Sequence, residues 1–259
     1  MRKFVNLLNN EMWNRRTVII VLYVLLTGYI SRVISEVIHE LGHGLLAVLF
    51  GVRIDYIHIS LITPFDISLI DFNDSSLTLE QHLLVSAGGM IAGLTISFGL
   101  QLLLLVKRIN WKIALPATWL AYWCYSNETG NILGGVLTPP RIVDIPGDMT
   151  KVMMNGTITI TPFMALVIFI ILYFAGFFAI STILRRMAKP AVGEEAKYLI
   201  VLFWVNVPLN IALYILTTGY IFAIIIGVIP VIVSYLLEFQ VVRRVEKNLP
   251  ENSHVHKSL

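Results

Sequence analysis

Five consecutive residues, His39-Glu40-Leu41-Gly42-His43, combine two imidazoles and a carboxylate at a spacing that suits a metal ion. On a helix, positions four apart share a face, so His39 and His43 reach one point while Glu40 flanks it. This is the H-E-x-x-H arrangement of zinc hydrolases. Neutral imidazole suits Zn2+, and a catalytic zinc usually keeps three protein ligands, leaving a fourth position for a water whose pKa falls to about 7. A carboxylate beside the histidines can take that water's proton and return it to a leaving amine, which makes Glu40 the candidate base. A histidine pair on a soluble helix is often structural. Here the pair lies in the strongly apolar stretch 17–52, where ionisable groups are costly and mark function.

Two histidines leave a zinc one protein ligand short. Segment 136–157 carries Pro139-Pro140, Asp144, Pro146-Gly147-Asp148 and Lys151, and an aspartate on a proline- and glycine-shaped turn can complete the set. Asp148 is preferred to Asp144, because Gly147 allows the close backbone approach a ligand loop needs. Two spans separate His43 from Asp148, so the chain crosses and returns, and both fall on one membrane side.

The elements that must position these groups follow from composition. Of 259 residues, 57% are hydrophobic and only 14% charged, too little polar surface to cover a soluble globule. The net charge is +3, but the basic residues sit in small clusters between apolar runs. That suits membrane topology rather than a phosphate-binding stripe, so no nucleic-acid partner is expected. The single cysteine, Cys124, excludes an intrachain disulfide and a thiolate metal cage, and reads as a small buried apolar residue.

The expected fold class is an all-α polytopic membrane protein, with about six transmembrane helices and a short β-hairpin after the first. Residues 1–16 form a basic N-terminal segment that reads with the next apolar run as an uncleaved signal anchor. Residues 17–157 hold the metal motif, three transmembrane helices and the ligand loop; 158–247 hold three further transmembrane helices; 248–259 is a polar tail.

Within the core, the first helix continues beyond Ile30 with Arg32, Glu36, His39, Glu40 and His43 on one polar stripe. Arg32 and Glu36 read as an intrahelical ion pair. A helix of about 35 residues extends about 52 Å, well beyond a hydrocarbon core of about 30 Å, so it must tilt, kink or protrude. Gly42 and Gly44 keep one flank small for a helix neighbour, and Gly51 closes the helix. Residues 54–60 and 65–71 alternate around Thr63-Pro64 as a hairpin, whose edge suits main-chain pairing with an unwound substrate. His58 and His82 read as solvated or interfacial. The second span, 83–106, carries Gly89 and Gly93 in G-x-x-x-G form, which predicts close helix packing. The third, 113–135, carries Pro116, Asn127, Glu128 and Asn131, and its polar final third is expected to face the site. Segments 158–184, 198–217 and 220–239 are long enough to span, and Pro162, Pro208 and Pro230 are expected to kink them. Six spans put the basic N-terminus, the 107–112 turn, the 185–197 loop and the tail on one side, by rule the cytoplasm.

With these motifs together, residues 30–150 resemble the site-2 protease family of intramembrane zinc metalloproteases. The resemblance rests on His39-Glu40-Leu41-Gly42-His43, the glycine-rich 86–93 segment in the next span, and Pro146-Gly147-Asp148 one helix later. It implies a Zn2+ held by His39, His43 and Asp148, with Glu40 activating water. The implied partners are the lipid bilayer and a transmembrane protein substrate, cleaved in or near its membrane segment by a multi-pass membrane enzyme. The family's usual second motif has an asparagine and prolines before an Asp-Gly pair; here Met149 follows Asp148 and Gly147 precedes it. Family members keep the zinc nearer the cytosol, whereas six spans put this end of the first helix opposite. Two alternatives stand beside this reading. One is a zinc endopeptidase of the kind that trims prenylated peptides, for which Glu128 would be the downstream ligand. The other is a non-enzymatic membrane scaffold, metal-binding pseudoprotease or metal transporter.

Overall fold

The computed structural model describes residues 15–61, 68–107, 109–137, 152, 161–191 and 203, all within one compact unit, Met1–Phe203. In chain order these are helix α1 (Arg15–Leu49), strands β1 (Ile54–His58) and β2 (Leu69–Phe72), a 3-10 turn at Asp74–Ser76, and helices α2 (Leu79–Val106), α3 (Trp111–Leu137) and α4 (Pro162–Ala191).

Helix α1 is a single 35-residue helix, as the continuous polar stripe predicts. It ends where Gly51 takes a φ of 81°. The Val52 amide folds back on the Ala47 carbonyl at 3.0 Å and the Gly51 amide on Val48 at 2.9 Å. This pairing satisfies the last carbonyls, and the positive φ favours glycine. Val52 and Ala47 then share a buried apolar cluster with Val85 of α2.

The hairpin forms where alternation predicts it, with β1 antiparallel to β2 and Ile57 opposite Ile70. The register shifts between Ile54 and Tyr56, and the expected turn at Thr63-Pro64 lies outside the described residues. Gly44 faces this hairpin rather than a helix: a methyl there would lie 2.6 Å from Ile70 Cδ1.

Helix α2 opens with a reciprocal cap. The Thr78 hydroxyl accepts from the Gln81 amide at 3.3 Å, and the Gln81 side chain accepts from the Thr78 amide at 2.9 Å, satisfying two donors of the first turn. Helix α3 carries Pro116 in its interior. Proline removes the amide that would bond the carbonyl four residues earlier, at Lys112, and the Tyr23 hydroxyl of α1 donates to that carbonyl instead. Ser31 adds a 3.1 Å bond to the Pro116 carbonyl. Pro162 is the first residue of α4, where its fixed φ starts a helix instead of kinking one; that corrects the expectation for this proline. Pro208 and Pro230 lie outside the described residues.

Helix α3 packs against α1, α2 and α4. Leu115, Thr118, Trp119, Cys124, Glu128 and Thr129 are among its buried side chains. Trp119 stacks on Trp123 at 5.9 Å between centroids and on Phe203 at 3.8 Å. Gly176 of α4 leaves room for the Tyr125 ring, which a methyl would approach to 2.7 Å at Cδ2.

Three described helices are long and apolar enough to cross a membrane: Val18–Leu49, Leu79–Val106 and Phe163–Met187. Their outer faces are apolar, and polar side chains lie among the apolar ones inside. Leu22, Leu26, Leu45, Leu102, Ile171 and Phe178 are exposed, whereas Ser31, Ser35, His43, Ser97 and Gln101 are buried. An apolar exterior around a hydrogen-bonded polar interior is what a lipid solvent selects. Helix α3 is not among the three. Ringed by neighbours, it shows lipid little surface and so needs no apolar coat. The further spans expected at 198–217 and 220–239 lie outside the described residues.

Candidate metal centre

Helix α1 presents His39 and His43 one turn apart, their ring centroids 4.7 Å apart and their planes at 80°. The two Nε2 atoms converge to 3.1 Å. Each ring is anchored through its other nitrogen. His43 Nδ1 lies 2.6 Å from the Val85 carbonyl of α2, and His39 Nδ1 lies 2.9 Å from Glu128 Oε1 of α3.

A carbonyl oxygen can only accept, so His43 Nδ1 donates to Val85, and His39 Nδ1 is placed to donate to the Glu128 side-chain oxygen. The Gly89 amide also lies 3.4 Å from His43 Nδ1, but a nitrogen already donating to Val85 has no lone pair to offer it. Metal binding needs both Nε2 atoms deprotonated; in that state their lone pairs turn toward one region of space, 3.1 Å apart, where a cation relieves their repulsion. Zinc ligands at about 2.0–2.1 Å in tetrahedral array lie about 3.3–3.4 Å from each other, so the pair at 3.1 Å needs to open by only a few tenths of an ångström to hold that ion.

The opposite wall is glycine. A methyl on Gly89 would come 2.5 Å from His43 Nε2 and 2.6 Å from His39 Cε1, and one on Gly93 would come 2.8 Å from Glu128 Cγ and 2.9 Å from its Cδ. Gly89 and Gly93 thus let the neighbouring helices pack close to α2, as expected, and the space they leave is filled by the side chains of His39, His43 and Glu128. Gly88 carries the helix contact, its missing methyl standing 2.6 Å from the Gly42 carbonyl. Gly89 makes room for both imidazoles and Gly93 for Glu128, a division that the G-x-x-x-G pattern alone does not announce.

Glu128 is 1% exposed. Its second oxygen accepts from Asn131 Nδ2 at 3.3 Å. Since it meets His39 through Nδ1, it stands on the far side of the ring from the Nε2 pair. Glu40 and His43 are both buried, at 7% exposure. Further along α1, Asn127 Nδ2 donates toward Glu36 Oε1 at 3.3 Å and Ser35 Oγ at 3.4 Å. The Arg32 guanidinium lies over the Trp123 ring, 5.4 Å from its centroid. The polar last third of α3 therefore faces the stripe on α1. His58 stacks with Tyr56 in the hairpin, its ring at 13° to the tyrosine, and Cys124 is buried.

Asp148 and Asp144 lie outside the described residues. Among the described residues, no three His, Cys, Asp or Glu side chains group around one point in the manner of a metal site; the structure brings together two of the three expected ligands. No family model, curated protein or solved structure matches the chain.

Proposed function

We propose that this chain is an intramembrane zinc metalloprotease of the site-2 type, a multi-pass membrane protein that hydrolyses peptide bonds in or near transmembrane segments of other proteins. The observation that supports this most is the convergence of His39 and His43 Nε2 at 3.1 Å while both Nδ1 atoms are engaged elsewhere. His39, His43 and Asp148 would hold a zinc ion, which supplies Lewis acidity and an acidified water to the reaction. Glu40 directly follows His39 and so flanks the pair. Its carboxylate accepts the proton of the attacking water and delivers it to the departing amine. Peptide bonds of a membrane helix are shielded by their own hydrogen bonds and by lipid, so cleavage needs an unwound segment and a polar, hydrated pocket. Ser35, Glu36, Asn127 and Asn131 give the site polar surroundings suited to both.

In the reading as a prenyl-peptide-type endopeptidase, Glu128 would be a ligand, and its hydrogen bond to His39 Nδ1 speaks against that. The test is metal analysis of the purified full chain with cleavage of a co-expressed single-span substrate. Wild type should hold about one zinc per chain, His39→Ala little, and Glu40→Gln as much as wild type but with no cleavage. A wild-type chain without zinc, or Glu40→Gln that cleaves normally, would refute the assignment.

A further inference from the structure

We propose that Glu128 is the positioning residue of the metal centre, fixing His39 through its Nδ1 while Gly93 and Asn131 hold Glu128 in place. The inference rests on the metal-site reading above and goes beyond it, because it gives a role to an acid 89 residues away from His39 in sequence.

A carboxylate at 1% exposure inside an apolar helix bundle persists only if its oxygens are satisfied. Both oxygens of Glu128 have partners: Oε1 takes His39 Nδ1 at 2.9 Å and Oε2 takes Asn131 at 3.3 Å. Asn131 is one turn along the same helix, so α3 itself sets the carboxylate's direction. From the third side α2 leaves a slot at Gly93, against which Glu128 Oε1, Cγ and Cδ all lie. Three helices thus converge on one hydrogen bond, and that bond points His39 Nε2 at His43.

The two imidazoles are held unequally. His43 donates to a backbone carbonyl, a neutral dipole, whereas His39 donates to a carboxylate. A carboxylate partner raises the donor strength of the distal nitrogen. His39 is therefore the stronger of the two histidine donors, and Glu128 makes it so.

The experiment measures Zn2+ affinity of the full chain in detergent, by competition with a chelating indicator, for wild type, Glu128→Ala, Glu128→Gln, Gly93→Ala and the double variant Gly93→Ala with Glu128→Ala. Glu128→Ala should bind zinc about 10- to 100-fold more weakly. Glu128→Gln retains an oxygen acceptor and should recover most of that loss. Gly93→Ala should weaken binding in the wild-type background and add nothing in the Glu128→Ala background, where the atoms it would strike are gone. If Glu128 only supports the fold, Glu128→Ala lowers the melting temperature while the folded fraction keeps wild-type affinity, and the proposal is overturned. Glu128→Gln binding no better than Glu128→Ala, or Gly93→Ala weakening both backgrounds equally, also overturns it. Should Glu128→Ala not fold, Glu128→Gln and Gly93→Ala decide the matter. A wild-type chain that binds no zinc strikes instead at the underlying metal-site reading.

Discussion

Gly42 of α1 and Gly88 of α2 meet backbone to backbone, each occupying the space in which the other would need to place a side chain. A methyl on Gly88 would stand 2.6 Å from the Gly42 carbonyl oxygen and 3.1 Å from the His43 amide. This contact brings α2 close enough for the Val85 carbonyl to reach His43 Nδ1. Helix packing and the orientation of the His43 ring are therefore one constraint.

Gly88→Ala should lower stability by about 1–3 kcal/mol, the usual cost of overpacking, read as a fall in melting temperature in detergent. Gly99, on the same helix, has nothing within 4 Å of its absent methyl. Gly99→Ala should leave the melting temperature unchanged or raise it, since alanine is the better helix residue by about 0.5–1 kcal/mol.

Gly89→Ala separates metal binding from folding. Its methyl would press on His43 Nε2 at 2.5 Å and His39 Cε1 at 2.6 Å, side-chain atoms that can rotate away, but only by misdirecting the lone pairs. Zinc stoichiometry should drop sharply while the helical circular dichroism spectrum is kept. Full zinc content would contradict the role given to this glycine.

The third ligand is tested by comparing two nearby acids. Asp148→Ala should lose zinc to the extent that His39→Ala does, and Asp144→Ala should retain it. The reverse outcome in metal analysis would reassign the ligand to Asp144.

Tyr23 and Pro116 should couple. Tyr23→Phe strips the exposed Lys112 carbonyl of its hydroxyl donor, a loss of about 0.5–1.5 kcal/mol. Pro116→Ala restores an amide for the same carbonyl. In a thermal-melt double-mutant cycle, Tyr23→Phe should therefore cost markedly less in the Pro116→Ala background.

Local features were legible in sequence because their causes are local. The i, i+4 spacing places His39 and His43 on one face, Gly51 stops α1 because the turn beyond needs a positive φ, and alternation marks β1 and β2. What was not legible depends on partners brought together by folding. Nothing near His39 in sequence indicates that Glu128 will meet its ring, and a G-x-x-x-G pattern reads alike whether it admits a backbone or an imidazole. Pro162 misled for a related reason: a proline inside an apolar run looks like a kink until the helix start is known. Hydropathy also has a blind side: it averages every side chain of a helix, so the buried polar residues Thr118, Glu128 and Thr129 lower the score of α3 although they face its neighbours.

That last property bears on how the chain is assembled. The segment bearing Glu128, Asn127 and Asn131 is too polar to partition into hydrocarbon by its own preference, so in a bilayer it depends on surfaces that α1, α2 and α4 provide. Biogenesis would then be ordered: α3 is retained once its companions are there to receive it, and the centre it completes forms as a late event of insertion.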